Sequence, residues 1–85
     1  MLHIITNPTS LDSCLEIASA KHDEILLIQD AVYKATEDHR MITFAVESDV
    51  ILRGLTDVIS SEVKLITYEE FVDLIVKHET NITWR

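Results

Sequence analysis

The hydrophobic residues of this chain fall into short runs separated by polar segments. Four of these runs are mostly apolar and occupy Leu2–Ile5 and residues 25–28, 41–46 and 63–66. The run at 25–28 does not alternate, which is typical of a strand buried on both faces of a parallel sheet. A fifth segment, Asn81–Trp84, alternates polar and apolar residues and predicts a last strand at a sheet edge.

The segments between the predicted strands carry helix signals. An apolar stripe at positions i, i+3, i+4 and i+7 predicts a first helix to about residue 20. Thr9 and Asp12 form a capping box, and Thr67 and Glu70 form a second one. Asp30 is a cap for a short helix over 31–36, and Ser48 and Asp49 are a cap for a helix through Leu52. The sole glycine, Gly54, is placed to end that last helix in a left-handed conformation.

Strands and helices therefore alternate along the whole chain with short links. This order predicts an α/β fold, a small three-layer Rossmann-like domain with a mostly parallel five-stranded sheet and helices on both faces. At 85 residues, the chain forms one domain spanning positions 1–85. Such a domain has a thin core and often gains stability by association, so we expect a dimer or a larger oligomer.

Charge and composition exclude several classes of function. The net charge is −8, with 15 acidic and 7 basic residues, which argues against direct binding to nucleic acid and to anionic membranes. The longest unbroken apolar run, residues 25–28, is far too short to cross a bilayer, and no signal-peptide pattern opens the chain. We expect a cytoplasmic protein.

Cofactor and metal motifs are missing from the sequence. One glycine cannot build a phosphate-binding or dinucleotide-binding loop. The four histidines, at positions 3, 22, 39 and 78, have no metal-ligand spacing, and there is no cysteine pair. The sequence therefore predicts no cofactor, no metal and no self-sufficient catalytic site.

Cys14 is the one side chain with distinctive covalent chemistry. It falls on the apolar stripe of the first helix, and an unpaired cysteine in that position is typical of a packed core. A position near the start of a helix slightly favours the thiolate, whereas Asp12 and Glu16 oppose it. Both a structural and a reactive Cys14 are therefore compatible with the pattern.

Five further residues are candidates for contacts with a partner. Gln29 and Asp30 follow the buried run at 25–28, and ligands and partners of parallel sheets meet the carboxyl ends of the strands. For Asp30, a role as a helix cap alone is the main alternative. Tyr33, Arg53 and Trp84 belong to the residue types that dominate protein interfaces, and their alternative roles are core edge and solvated charge.

Several segments together resemble the TusB/DsrH family, in matching order and spacing over nearly the whole chain. Ser13-Cys14-Leu15 also resembles the segment that carries the cysteine of the DsrH branch. The chain is shorter than typical members around residues 37–40. The segments that carry the resemblance are residues 1–4, 26–33, 49–55 and 67–74 and the terminal Trp84.

This resemblance implies a small subunit of a sulfur-relay (sulfurtransferase) assembly. Related DsrE/TusD-like and DsrF/TusC-like chains would join it in a hexamer, with the principal persulfide cysteine on the TusD-like chain. Self-association into a homodimer is the alternative. The relay would pass persulfide sulfur from a protein donor to a protein acceptor, toward 2-thiolation of the tRNA wobble uridine or toward sulfur oxidation. Cys14 would either carry sulfur transiently or pack in the core of a non-catalytic subunit.

Overall fold

The computed structural model describes residues 1–19, 21–37 and 42–85. These described residues form five strands, three α-helices and two 3-10 helices, the last two at Gln29–Thr36 and Thr56–Val58. The strands are β1 (Leu2–Ile5), β2 (Glu24–Leu27), β3 (Ile42–Val46), β4 (Lys64–Ile66) and β5 (Asn81–Trp84), and the α-helices are α1 (Ser10–Ile17), α2 (Glu47–Leu52) and α3 (Tyr68–Lys77).

All five strands are parallel and lie in the order β4-β3-β2-β1-β5. The first three crossovers step across the sheet in one direction, and the last returns from β4 to β5 at the opposite edge. Because such crossovers are right-handed, the reversal sends α3 to the face opposite the other helices. The predicted α/β class, the five strands and the helices on both faces are confirmed, and every strand pairing is parallel.

Each face of the sheet has its own hydrophobic core. The face covered by α1, α2 and Gln29–Thr36 buries Ile5, Ile25 and Leu27. The opposite face buries Leu2, Ile4 and Leu26 beneath α3. Because β2 contributes to both cores, its apolar residues follow one another without alternation.

Two predicted helix ends are confirmed in detail. Gly54 has φ +68°, and the N–H groups of Gly54 and Leu55 donate to the carbonyls of Ile51 and Val50, which closes α2. At the start of α3, the Thr67 hydroxyl accepts from the Glu70 N–H at 3.2 Å, and the Glu70 carboxylate accepts from the Thr67 N–H at 3.1 Å.

The other predicted caps are wrong. Thr9 makes no side-chain bond to α1, since its N–H and hydroxyl both donate to Asn7 Oδ1 instead. Asp30 lies inside the 3-10 helix, which Ile28 precedes, and its carboxylate binds Arg53. Asp49 lies within α2.

Two predicted segments are tested only in part. Helix α1 ends at Ile17, with Ala18 as its C-cap, short of the predicted end at Ala20, which lies outside the described residues. Most of the predicted charged loop at 37–40, and Met41 at the start of the third predicted strand, also lie outside them.

Thr67→Ala is expected to lower the free energy of unfolding by about 1 kcal/mol, because the α3 N-terminus loses its capping side chain. For a domain of this size, the melting temperature should fall by roughly 4–8 °C. Thr9→Ala is the matched control, since the Thr9 hydroxyl does not cap its helix. Equal losses in the two variants, measured by thermal unfolding, would contradict the assignment.

Candidate interaction site at the carboxyl end of the sheet

The chain makes a strained turn where β2 ends. Gln29 has φ +51°, and it is the only non-glycine residue with positive φ in the described parts of the chain. Its backbone N–H donates to Asp49 Oδ2 at 2.8 Å. A left-handed conformation costs free energy for a residue with a Cβ atom, so this contact helps to hold the turn.

Asp49 organises this end of the sheet from the first turn of α2. The residue is 9% exposed. Its Oδ2 accepts a hydrogen bond from the Tyr68 hydroxyl at 3.5 Å, in addition to the one from the Gln29 N–H. The Arg53 guanidinium is 3.7 Å from Oδ1. Removing a carboxylate from water is costly unless it is paired and hydrogen-bonded, and these three contacts supply that compensation.

Arg53 links the buried carboxylate to the surface. Its Nε and Nη2 donate to Asp30 Oδ1 at 3.0 and 2.9 Å, and its Nη1 donates to the Asp49 carbonyl at 3.1 Å. The Arg53 side chain is largely buried, whereas that of Asp30 is 70% exposed. The ion pair therefore presents a fixed acidic group at the carboxyl end of the sheet.

Exposed apolar side chains lie on the elements beside this ion pair. Tyr33 is on the 3-10 helix Gln29–Thr36, which contacts α2, and Ile51 and Leu52 are on α2 itself. Leu52 is 79% exposed, and Tyr33 and Ile51 are each about half exposed. We call Tyr33, Ile51 and Leu52 the apolar patch.

The sequence predicted Gln29 and Asp30 at the carboxyl end of a strand and Arg53 as a contact residue, without indicating that the three lie together. Asp49 and Tyr68 were missed as part of the site, since Asp49 was interpreted only as a helix cap. The spacing of Asp49 and Arg53, four residues apart on a helix, was a signal for their pairing.

Trp84 is the last residue of β5, two strands away from β2 in the sheet, and is partly buried. Its Nε1–H donates to His3 Nδ1 at 3.1 Å, and His3 Nε2 lies 3.1 Å from Asp23 Oδ2. Because Nδ1 accepts a hydrogen bond, the neutral imidazole carries its hydrogen on Nε2. The Nε2–H group then donates a hydrogen bond to Asp23 Oδ2. This chain of contacts ties the edge strand β5 to β1 and to the turn before β2.

Asp23 makes the stability of the fold depend on acid pH. The Ser19 backbone N–H, followed by the His3 side chain, lowers its pKa from 3.8 to about 2. A carboxyl whose pKa is depressed by folding stabilises the folded state above its ordinary pKa, and that contribution is lost as the pH falls.

We therefore expect stability to decline between about pH 4 and pH 2, by roughly 2 kcal/mol at most from this group. Asp23→Asn should flatten that part of the profile in urea unfolding. Asp73→Asn, on the exposed face of α3, should leave it unchanged. A steep acid decline that persists in Asp23→Asn would show that another group is responsible.

Cys14 is fully buried in the core between α1 and the sheet. Burial, with a smaller contribution from the negative charge of Asp23, raises the pKa of the thiol from 9.0 to about 11. The thiolate is the nucleophilic form of cysteine, so near neutral pH almost none of the reactive species is present.

The described residues contain no group of three or more His, Cys, Asp and Glu side chains placed to hold a metal ion. No helix within those residues is both long and apolar enough to cross a membrane.

Comparison with known proteins places the chain in a family. A family model described as DsrH like protein matches residues 6–81. A Protein TusB from Yersinia pestis (strain Pestoides F) is 36% identical over 83 residues, covering 87% of this chain and 86% of the relative. A Protein TusB from Escherichia coli (strain K12) is 39% identical over 71 residues, covering 73% of this chain and 75% of the relative. With its all-parallel sheet and a match over most of its length, the chain belongs to the TusB/DsrH family.

Proposed function

We propose that this chain is a non-catalytic subunit of a sulfur-relay assembly. It binds related DsrE/TusD-like and DsrF/TusC-like chains through the carboxyl end of its sheet, and a partner cysteine carries the persulfide. The assembly delivers sulfur toward tRNA wobble-uridine 2-thiolation or toward sulfur oxidation. Family membership supports the relay, and the burial of Cys14 is the observation that favours the non-catalytic role.

A relay cysteine must reach a donor persulfide and attack it as a thiolate. Cys14 lacks both properties in this structure, because its side chain is fully buried and its pKa is raised to about 11. Sulfur transfer through Cys14 would require α1 to move away from the sheet. The second candidate function, a persulfide on Cys14, therefore needs a rearrangement driven by a partner.

The carboxyl end of the sheet has the features of a protein-binding surface. Gln29, Asp30 and Arg53 form a fixed polar group there, and the apolar patch lies on the adjoining helices. Fixed polar contacts beside exposed apolar side chains resemble the rim and centre of protein interfaces. Trp84 is engaged with His3, so its contribution to an interface would be indirect.

The test is capture of partners from a native extract by the tagged chain, followed by mass spectrometry of the bound proteins. Leu52→Asp should reduce partner recovery at least tenfold, because a charge replaces an apolar contact in the patch. Val76→Asp is the matched control, since Val76 is 80% exposed on α3, on the other side of the sheet. Recovery of the same partners by wild type and Leu52→Asp would contradict the proposed surface. Recovery of no sulfur-relay subunit by the wild type would contradict the function.

The isolated chain should not bind tRNA tightly. Affinity for nucleic acid rests on neutralising phosphates with Lys and Arg, and the chain has 7 such residues against 15 acidic ones. Filter binding at near-physiological salt should therefore give no sub-micromolar complex. A tight complex under those conditions would place RNA recognition on this subunit.

A further inference from the structure

The 3-10 helix Gln29–Thr36 places a carboxylate beside the tyrosine of the apolar patch. Side chains three residues apart eclipse one another in a 3-10 helix, so Asp30 and Tyr33 lie in one line along it. Both are exposed, whereas Ala31 and Val32 between them are buried in the core. Tyr33 therefore shares the exposed face of this helix with the Asp30 carboxylate.

Helix α2 has the same arrangement. Residues four apart lie on the same side of an α-helix, which places Glu47 beside Ile51. Both are exposed, and Asp49 and Val50 between them are buried. Glu47 directly follows β3, and Asp30 follows the end of β2 by three residues, so both carboxylates lie at the carboxyl ends of neighbouring strands. Each of the two helices that carry the apolar patch therefore presents an exposed carboxylate beside it.

The cations near the apolar patch are already engaged. Five acidic side chains and two basic ones lie in the segments that carry the patch, residues 29–37 and 47–57. Lys34 Nζ is 3.4 Å from a Glu37 carboxylate oxygen. Both Arg53 donors to Asp30 bind Oδ1, which leaves Oδ2 outside the ion pair. Within these two segments the surface can therefore accept positive charge, and it has no unpaired Lys or Arg to offer.

We propose that the apolar patch binds a protein surface whose own apolar centre is ringed by Lys and Arg side chains. Asp30 and Glu47 contact those cations. Tyr33, Ile51 and Leu52 cover the apolar centre. This inference rests on the proposed function for its site, and it adds the chemistry of the partner and the two carboxylates that select it.

Charge complementarity separates this partner from the other candidate occupants. A second copy of this chain, packed about a two-fold axis at the patch, would bring the same carboxylates against each other. Anionic membranes and nucleic acid carry the same sign of charge as Asp30 and Glu47. A protein surface without cations would remove these carboxylates from water without adding a counter-charge, which costs free energy.

A helical peptide of leucine and lysine tests this chemistry without any assumption about the relay. Leucines on one side of the peptide reproduce the apolar centre, and lysines reproduce the rim; glutamate in place of lysine gives the matched control peptide. In a titration of the isotope-labelled chain followed by NMR, the lysine peptide alone should shift the backbone amides of Tyr33, Ile51 and Leu52. Equal binding of the two peptides, or shifts confined to the exposed Val72 and Val76 of α3, would overturn the proposal.

Two neutral variants test which carboxylates select the partner. Asp30→Asn, which keeps an oxygen for Arg53, and Glu47→Gln should each raise the dissociation constant of the lysine peptide about fivefold, because each loses a contact with a cation. Asp73→Asn and Glu79→Gln make the same replacements at exposed positions on α3 and just after it, and should leave the affinity unchanged. Equal affinities for the patch variants and these controls would show that the two carboxylates do not select the partner.

Salt dependence gives an independent readout. Raising the salt concentration from about 0.05 M to about 0.5 M should weaken binding of the lysine peptide to the wild type about tenfold, because salt screens exposed charges. The Asp30→Asn/Glu47→Gln double variant should lose less affinity over the same range. Binding that is insensitive to salt would contradict a basic partner surface.

The peptide titration and the capture experiment give separate results. If the chain captures sulfur-relay subunits but does not bind the lysine peptide, the proposed function stands and the basic partner surface is rejected. If the lysine peptide binds the patch but no relay subunit is captured, this inference stands and the proposed function is rejected.

Discussion

Trp84→Ala is expected to lower the free energy of unfolding by about 3 kcal/mol, although Trp84 lies on an edge strand. The substitution removes a half-buried ring that packs against the core. It also removes the indole N–H that donates to His3 Nδ1. Such a loss is a large fraction of the roughly 4–13 kcal/mol expected for a domain of 85 residues. Urea unfolding measures it directly.

Trp84→Phe separates the two contributions to that loss. It keeps an aromatic ring but leaves His3 Nδ1 without its donor, so the loss should be about 1–2 kcal/mol. If Trp84→Ala has the same urea midpoint of unfolding as the wild type, Trp84 contributes little to the fold. The interface role suggested by its residue type then becomes the better interpretation.

Asp49→Ala is expected to lower the free energy of unfolding by about 2–4 kcal/mol, because three groups would lose the carboxylate as their partner. These are the Gln29 N–H, the Tyr68 hydroxyl and the Arg53 guanidinium. Loss of one partner leaves the others desolvated and unsatisfied. Unfolding by urea should show the loss, together with weaker partner capture, because the turn at Gln29 is released.

Ser48→Ala is the control for Asp49→Ala. Ser48 precedes Asp49 in the same turn of α2 but is exposed, so its replacement should change stability by less than about 0.5 kcal/mol. Similar stability losses for both variants would mean that general damage to the start of α2, and not the carboxylate network, explains the effect.

Local patterns were sufficient to predict the order and type of most elements. The non-alternating run near Ile25 predicted a strand buried on both faces, and that strand lies inside the sheet. Gly54 and the Thr67 capping box were predictable because each depends on residues only a few positions apart. Such signals are carried by the backbone geometry of single turns.

The details of the site depend on contacts between residues distant in sequence. Asp30 resembles a cap when only its neighbours are considered, but Arg53, 23 positions later, binds its carboxylate. Gln29 adopts its left-handed turn beside Asp49, which lies 20 positions away. Neither contact has a local signature, so the segment after β2 forms a 3-10 helix without the predicted Asp30 cap.

Cys14 shows the same limit of local patterns. Its position on the apolar stripe of α1 was compatible with both a packed and a reactive thiol. The packing of α1 on the sheet encloses the side chain and raises its pKa, a result that depends on which strands lie beneath the helix. That packing is why we assign the sulfur-carrying role to a partner.

Sulfur mapping on the assembled relay tests this assignment most directly. The complex captured by the tagged chain would be loaded with a competent persulfide donor, and each cysteine would be examined by peptide mass spectrometry. We predict an added sulfur atom on a cysteine of a partner subunit and none on Cys14. An added sulfur on Cys14 in the assembled complex, absent from a Cys14→Ser complex, would contradict the non-catalytic role and make this chain a carrier in the relay.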